Sequence, residues 1–179
     1  AELPLPELLI YQKNLPFNLI LSTWSSLGKG EFWLRLPSVI FALFSLVALH
    51  ALGRKLFSGE TALFAAFLLG SSPFFLLEAR QVKMYTLTLF FALAGITFLM
   101  RFLETGRLSS LLAHFGTLFM GFLSHYMACW TLLAGILFLV LWPRHYPPKR
   151  LRTYFLTLGI LALTILPLLW PTLFSLISK

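Results

Sequence analysis

No aspartate occurs in these 179 residues, and the six acidic residues are all glutamate. Charge of either sign is scarce: 11% of the chain is charged, against roughly 25% in a soluble domain. That shortage excludes a water-coated globular fold, because too few polar side chains exist to cover one. A single cysteine, Cys129, excludes an internal disulfide and any cysteine-rich metal site. What is abundant is apolar: 59% of residues are hydrophobic and the mean hydropathy is +0.87. A polytopic membrane protein follows. The formal charge of +8 does not imply a nucleic-acid partner, because the basic residues are scattered between apolar runs and form no continuous patch. No internal repeat, low-complexity tract or soluble domain is evident.

A spanning helix needs about 20 mostly apolar residues. Such runs lie at 36–53, 61–77, 84–103 and 153–173. Residues 108–142 carry no formal charge, and one helix of that length would reach about 52 Å, too long for a bilayer. Two shorter spans, 108–124 and 127–142, turning near Gly121–Tyr126, are therefore expected. The predicted fold is an all-α integral membrane bundle of about six transmembrane helices over 36–179. Residues 1–35 form an external juxtamembrane segment before it. Within that segment the apolar run 15–27 is too short to span and reads as an interfacial or re-entrant helix.

Lysine and arginine set the direction. Loops 54–60, 101–107 and 143–152 hold eight of the 14 basic residues: Arg54, Lys55, Arg101, Arg107, Arg144, Lys149, Arg150 and Arg152. These loops are expected inside. The stretches around 78–85 and 124–126 then face outward, as does the N-terminal segment. An outward N-terminus needs an upstream span to carry it across, and the chain shows no signal-peptide pattern.

The outward junction Leu77-Glu78-Ala79-Arg80-Gln81-Val82-Lys83-Met84-Tyr85 gathers polar groups between two apolar runs. One reading is anchoring at the headgroups, with Glu78 paired to a neighbouring cation. The other is a site for an anionic lipid headgroup. Arg80 and Lys83 suit phosphate through charge-assisted hydrogen bonds, while Gln81 and Tyr85 suit sugar hydroxyls. If 78–85 is helical, Glu78, Gln81 and Tyr85 share one face, and Arg80 and Lys83 another. Glu31 and Arg35, four apart, are expected to form an ion pair that fixes the outer loop; contact with a lipid phosphate is the alternative for Arg35. His50 and His114 read as structural, and His145 as a contact for anionic lipid.

The ordered motifs resemble a known family. Residues 15–57 contain Leu15-Pro16-Phe17-Asn18-Leu19, then Gly28-Lys29-Gly30-Glu31, then Arg35-Leu36-Pro37-Ser38 and a basic loop. Residues 62–87 contain Ser72-Pro73 and Arg80-Gln81-Val82-Lys83-Met84-Tyr85; later comes Ser124-His125-Tyr126. This order resembles the GT-C superfamily of membrane glycosyltransferases. The likeness is to bacterial glycosyltransferase family 39, which is like the dolichyl-phosphate-mannose protein mannosyltransferases and related to the lipid A aminoarabinose transferases. The resemblance implies an inverting glycosyltransferase moving a hexosyl or pentosyl unit from a polyprenyl-phosphate donor, undecaprenyl or dolichyl in type. The acceptor is a lipid, glycan or protein on the outer or periplasmic face of a cell membrane. It implies substrate-binding roles for Arg80, Lys83, Tyr85, Gln81, Glu78, His125, Tyr126, Lys13 and Asn14.

The departures matter. The family's usual base is an aspartate in an Asp-Glu pair of the first external loop, and this chain has none. The expectation is that Ala1 lies just after that pair, so that the fragment is N-terminally truncated and inactive alone. Where the family has Pro-Pro-Leu-Tyr-Tyr this chain has Leu15-Pro16-Phe17-Asn18-Leu19, without the two tyrosines, and Lys83 stands at the second arginine of the family's Arg-Gln-x-Arg-x-Tyr signature. A divalent metal ion is left open as a cofactor; no His-x-x-x-His or paired-carboxylate spacing supplies a site within the chain. Two other functions are carried forward: a non-catalytic membrane subunit or scaffold, and a lipid or solute transporter. The scaffold predicts no cavity near Arg80 and a fully paired Glu78.

Overall fold

The computed structural model describes residues 14–177, so Lys13 and the residues before it lie outside the description. Among the described residues the fold is helical. The elements are α1 (Leu15–Ser25), α2 (Glu31–Leu56), α3 (Gly59–Ser71), α4 (Pro73–Ala79), α5 (Tyr85–Thr105), α6 (Leu108–Ser124), α7 (Cys129–Leu141) and α8 (Pro148–Ile177), with short 3-10 turns at Tyr126–Ala128 and Pro143–His145. Helices α2 and α5 are each long and apolar enough to cross a membrane, and the bent pair α3–α4 adds a third if it counts as one span. Helices α6 and α7 are shorter apolar helices. The break expected between residues 108 and 142 is present, at His125.

The surface carries many large apolar side chains. Val47, Phe64, Phe67 and Leu137 point outward, while Ser38, Ala42, Ser45 and Ala62 are buried. Small residues inside let helix backbones approach closely, and large apolar residues outside suit lipid. The stripe Ser38–Ala42–Ser45 of α2 faces the start of α5. Ser38 Oγ donates to the Lys83 carbonyl at 3.3 Å, and Ser45 Oγ to the Thr86 carbonyl at 3.2 Å.

Residues 61–77 do not make one straight helix: α3 and α4 are bent by 66°. The cause is Pro73. It has no N–H to continue α3, it keeps Ser72 extended (φ −65°, ψ 123°), and it starts α4.

Helix α1 forms where the short apolar run predicts one. Its hydroxyls bond inward, Ser22 and Thr23 to the Leu19 carbonyl and Ser25 to the Ser22 carbonyl. That self-satisfaction makes a hydroxyl-rich helix tolerable at an apolar boundary. Trp24 and Trp33 stack with centroids 4.9 Å apart and pin α1 to the first turns of α2.

The main core lies among α2, α5, α6, α7 and α8, around Leu52, Leu99, Phe102, Leu111, Leu139 and Tyr154. His114 is buried there and bonds through Nδ1 to the Gly95 carbonyl at 2.8 Å, a structural role as expected. Its Nε2 faces the Tyr154 hydroxyl at 3.5 Å.

The bundle has two chemically distinct ends. At one end Lys55 pairs with Glu104 at 2.8 Å, and Arg150 donates to the Leu103 carbonyl, capping the last turn of α5. Gly106 ends that helix at φ 71°, a conformation glycine adopts without strain. Partial burial, and then the Glu104 carboxylate, push the nearby Tyr146 phenol above its ordinary value. The other end carries Glu31, Arg35, Arg80, Lys83, Tyr85 and His125.

Candidate functional site

The polar junction lies between helices. Helix α4 ends at Ala79 and α5 begins at Tyr85, leaving 80–84 as turns and bends. The helical faces expected of residues 78–85 are therefore corrected. The Gln81 N–H reaches the Glu78 carbonyl at 3.3 Å, and the Lys83 N–H reaches the Gln81 carbonyl at 2.9 Å. These tight reversals replace the i to i−4 ladder and turn successive side chains in different directions.

The result separates the two signature cations. Lys83 folds toward Tyr85, its Nζ standing 5.6 Å from the ring centroid. Tyr85 in turn meets His125, with centroids 5.5 Å apart, and His125 stacks on Tyr126 at 4.6 Å. Four predicted residues from three elements thus form one cation-and-aromatic row. His125 is held by its own turn: its Nδ1 accepts from the Met127 N–H at 3.2 Å. A neutral ring with Nδ1 accepting carries its proton on Nε2, which is left to donate.

Arg80 faces elsewhere. It lines a cavity of about 550 Å³ together with Glu31, Phe32, Arg35, Leu36 and Val39. Glu31 and Arg35 form the expected ion pair across one turn of α2. Neither Arg80 nor Lys83 has a carboxylate partner among the described residues; the ion pairs there are Glu31–Arg35 and Lys55–Glu104.

Glu78 does not form the salt bridge offered as its ordinary role. Its Oε2 is buried and has no hydrogen-bond partner among the described residues. An orphaned carboxylate oxygen costs stability. Thr86 Oγ1, one residue into α5, is also buried without a partner among the described residues. Asn14 has a backbone role: it starts α1 in the left-handed region, at φ 75°. It does not line the Arg80 cavity. Lys13 lies outside the described residues.

Among the described residues no three histidine, cysteine, aspartate or glutamate side chains converge. Glu78 is the one carboxylate within residues 78–85.

The Glu31–Arg35 pair expected from the sequence is present, and Arg35, whose alternative role was a lipid-phosphate contact, lines a cavity with Arg80. One feature escaped the sequence. The two tryptophans nine residues apart carried no recognisable pattern, yet they set where α1 meets α2. Spacing on one helix revealed the Glu31–Arg35 pair; contacts between helices had no such signal.

No curated protein and no solved structure matches the chain. The model of one family, described as dolichyl-phosphate-mannose-protein mannosyltransferase, matches residues 15–170, which include α1, the cavity, the cation-and-aromatic row and most of α8. The chain belongs to the dolichyl-phosphate-mannose-protein mannosyltransferase family.

Proposed function

We propose that this chain supplies the donor-phosphate end of a membrane glycosyltransferase. The enzyme moves a sugar from a polyprenyl-phosphate donor, undecaprenyl or dolichyl in type, to a glycan, lipid or protein acceptor. The observation that carries the reading is the state of the two signature cations. Arg80 opens into a cavity, Lys83 lies against a tyrosine ring, and neither is neutralised by a carboxylate among the described residues.

The chemistry asks for such groups. The bond between the anomeric carbon and the phosphate oxygen breaks, and its electron pair leaves with the phosphate. The acceptor oxygen bonds to the same carbon from the opposite face. Negative charge grows on the departing phosphate, where fixed cations beside apolar walls lower the barrier. Arg80 and Lys83 take that part. Gln81, Tyr85, Tyr126 and the Nε2 of His125 offer hydrogen bonds to sugar hydroxyls, and the free Glu78 oxygen accepts one. The family resemblance gives the acceptor's proton to an aspartate, a residue this chain does not contain.

In this reading the six apolar segments span the membrane and the Arg35 end faces outward. The opposite end concentrates the lysines and arginines, as cytoplasmic loops do. A non-catalytic scaffold would leave no cavity at Arg80 and would pair Glu78; neither condition is met. A transporter would place ionisable groups at a helix break within the membrane. The α3–α4 break carries Ser71, Ser72 and Pro73 and no charge.

The test is binding of undecaprenyl phosphate or dolichyl phosphate to the full-length protein in detergent, wild type against Arg80→Ala plus Lys83→Ala. A loss of at least tenfold is expected when charge-assisted bonds to phosphate are removed. Equal binding by a folded double variant overturns the reading.

A further inference from the structure

The cavity at the Arg35 end already contains an anion of its own. Glu31 and Arg35 sit one turn apart on α2, both line the cavity, and they pair with each other. Arg80 lines it from the turn after α4. Phe32, Leu36 and Val39 supply apolar wall. Two guanidinium groups and one carboxylate therefore share the space, leaving one positive charge over.

We propose that the Glu31 carboxylate is a stand-in anion. It occupies Arg35 while the cavity is empty. It is displaced when a lipid phosphate enters and is held by Arg35 and Arg80 together. The inference rests on the reading of the Arg80 end as a phosphate site. It adds Arg35 as a phosphate ligand and Glu31 as the group that sets how tightly phosphate is held.

The exchange favours the phosphate on several counts. The Glu31–Arg35 pair is open to water, with side-chain exposures of 79% and 41%. Such pairs contribute little stability and are easily broken. A carboxylate on the same helix engages one guanidinium. A lipid phosphate offers two non-bridging oxygens as the sugar diester and three as the spent monoester, each able to accept more than one bond, so it can engage two guanidinium groups at once. The apolar walls keep water from screening those bonds fully. Glu31 also lies in the first turn of α2, where the helix field favours negative charge, and an entering phosphate meets the same field. Once displaced, Glu31 returns to solvent without leaving a buried charge.

The arrangement gives the site a built-in competitor. A donor is bound less tightly than two bare arginines would bind it, so the spent lipid phosphate is released more readily. Glutamine at position 31 keeps the size of the side chain and removes the competing charge.

The experiment measures affinity of the full-length protein in detergent for three probes: undecaprenyl phosphate, a short-chain phosphatidic acid and inorganic phosphate. The variants are Glu31→Gln, Arg35→Gln and the double variant. Glu31→Gln is expected to tighten lipid-phosphate binding about two- to fivefold, the worth of an exposed ion pair. Arg35→Gln is expected to weaken it by roughly tenfold or more. In the Arg35→Gln background, Glu31→Gln should have no effect, because its partner is gone. The probe that shows the Glu31 effect identifies the source of the phosphate. An effect confined to undecaprenyl phosphate marks a donor site, and an equal effect with phosphatidic acid marks a general headgroup site.

Unchanged or weaker binding in Glu31→Gln overturns the proposal, and misfolding cannot mimic the gain that is expected. If binding depends on Arg80 and Lys83 but ignores Glu31 and Arg35, the stand-in fails and the transferase reading stands. If the wild type binds no lipid phosphate, both fall.

Discussion

Trp24 and Pro37 complete one another across two helices. Pro37 lies inside α2 and has no N–H for the carbonyl of Trp33, four residues before it. The indole Nε1 of Trp24 on α1 donates to that same carbonyl at 2.9 Å. A proline that would leave an orphan acceptor instead creates the docking point for α1. Trp24→Phe keeps an aromatic ring against Trp33 but removes the donor, and should cost about 1–2 kcal/mol. Pro37→Ala restores an N–H within α2, so the double variant should recover most of that loss. Thermal unfolding of the four proteins in detergent checks this. Losses that simply add would show that the two residues are not coupled.

Glu78 separates function from stability. Its buried Oε2 has no partner among the described residues. Glu78→Gln replaces the carboxylate with an amide of the same shape, and should leave the melting temperature unchanged or raise it, by about 1 kcal/mol of stability. Sugar transfer by the full-length enzyme should fall at least tenfold if the carboxylate accepts a hydroxyl of donor or acceptor. A variant that is less stable yet fully active would place Glu78 in the architecture alone.

The crossing of α2 and α3 depends on the absence of a side chain at Gly53. A Cβ there would stand 2.9 Å from the Ala62 Cβ and 3.0 Å from its Cα, and Ala62 is wholly buried. Backbone cannot yield as a flexible side chain does, so the helices must part. Gly53→Ala should destabilise by about 1–3 kcal/mol, and Ala62→Gly in the same protein should recover part of it. Detergent melting curves measure both. An unshifted curve for Gly53→Ala would mean that α2 and α3 do not need this close approach.

What the sequence revealed follows the range of the interaction. Composition announced a membrane protein because too little charge exists to coat a soluble one. Runs of apolar residues placed α2 and α5, and the over-long uncharged stretch implied the break now seen at His125. The Glu31–Arg35 pair was legible from a spacing of four. The bend at Ser72 was not, although Pro73 was visible, because an apolar run reads the same straight or broken. The helical register assumed for residues 78–85 failed because tight local turns, which composition does not record, replace the helix there. The cavity joining Arg35 to Arg80 depends on residues 45 positions apart, and no single-chain pattern encodes that distance. The family's ordered motifs brought Arg80, Lys83, Tyr85, His125 and Tyr126 to notice before any contact among them was known.

The row Lys83–Tyr85–His125 predicts a specific pattern of loss. Tyr85 is the middle member: its ring takes the Lys83 ammonium at 5.6 Å and meets His125 at 5.5 Å. Tyr85→Phe keeps both ring contacts and removes only the hydroxyl. It should hold donor phosphate as well as the wild type and lose only what that hydroxyl gives the sugar. Tyr85→Ala removes the surface on which Lys83 rests. The freed ammonium then spreads over many rotamers, and lipid-phosphate affinity should fall by about three- to tenfold, the worth of a partly exposed cation–π contact and the order it imposes. His125→Ala should act on transfer rate more than on phosphate affinity, because its free Nε2 is the donor left over after Nδ1 is tied to Met127. Titration with undecaprenyl phosphate, run beside a transfer assay, distinguishes the three. The arrangement would be refuted by Tyr85→Phe and Tyr85→Ala weakening phosphate binding equally. That result would assign the effect to the hydroxyl, and the contact between Lys83 and the ring would then have no part in holding the donor.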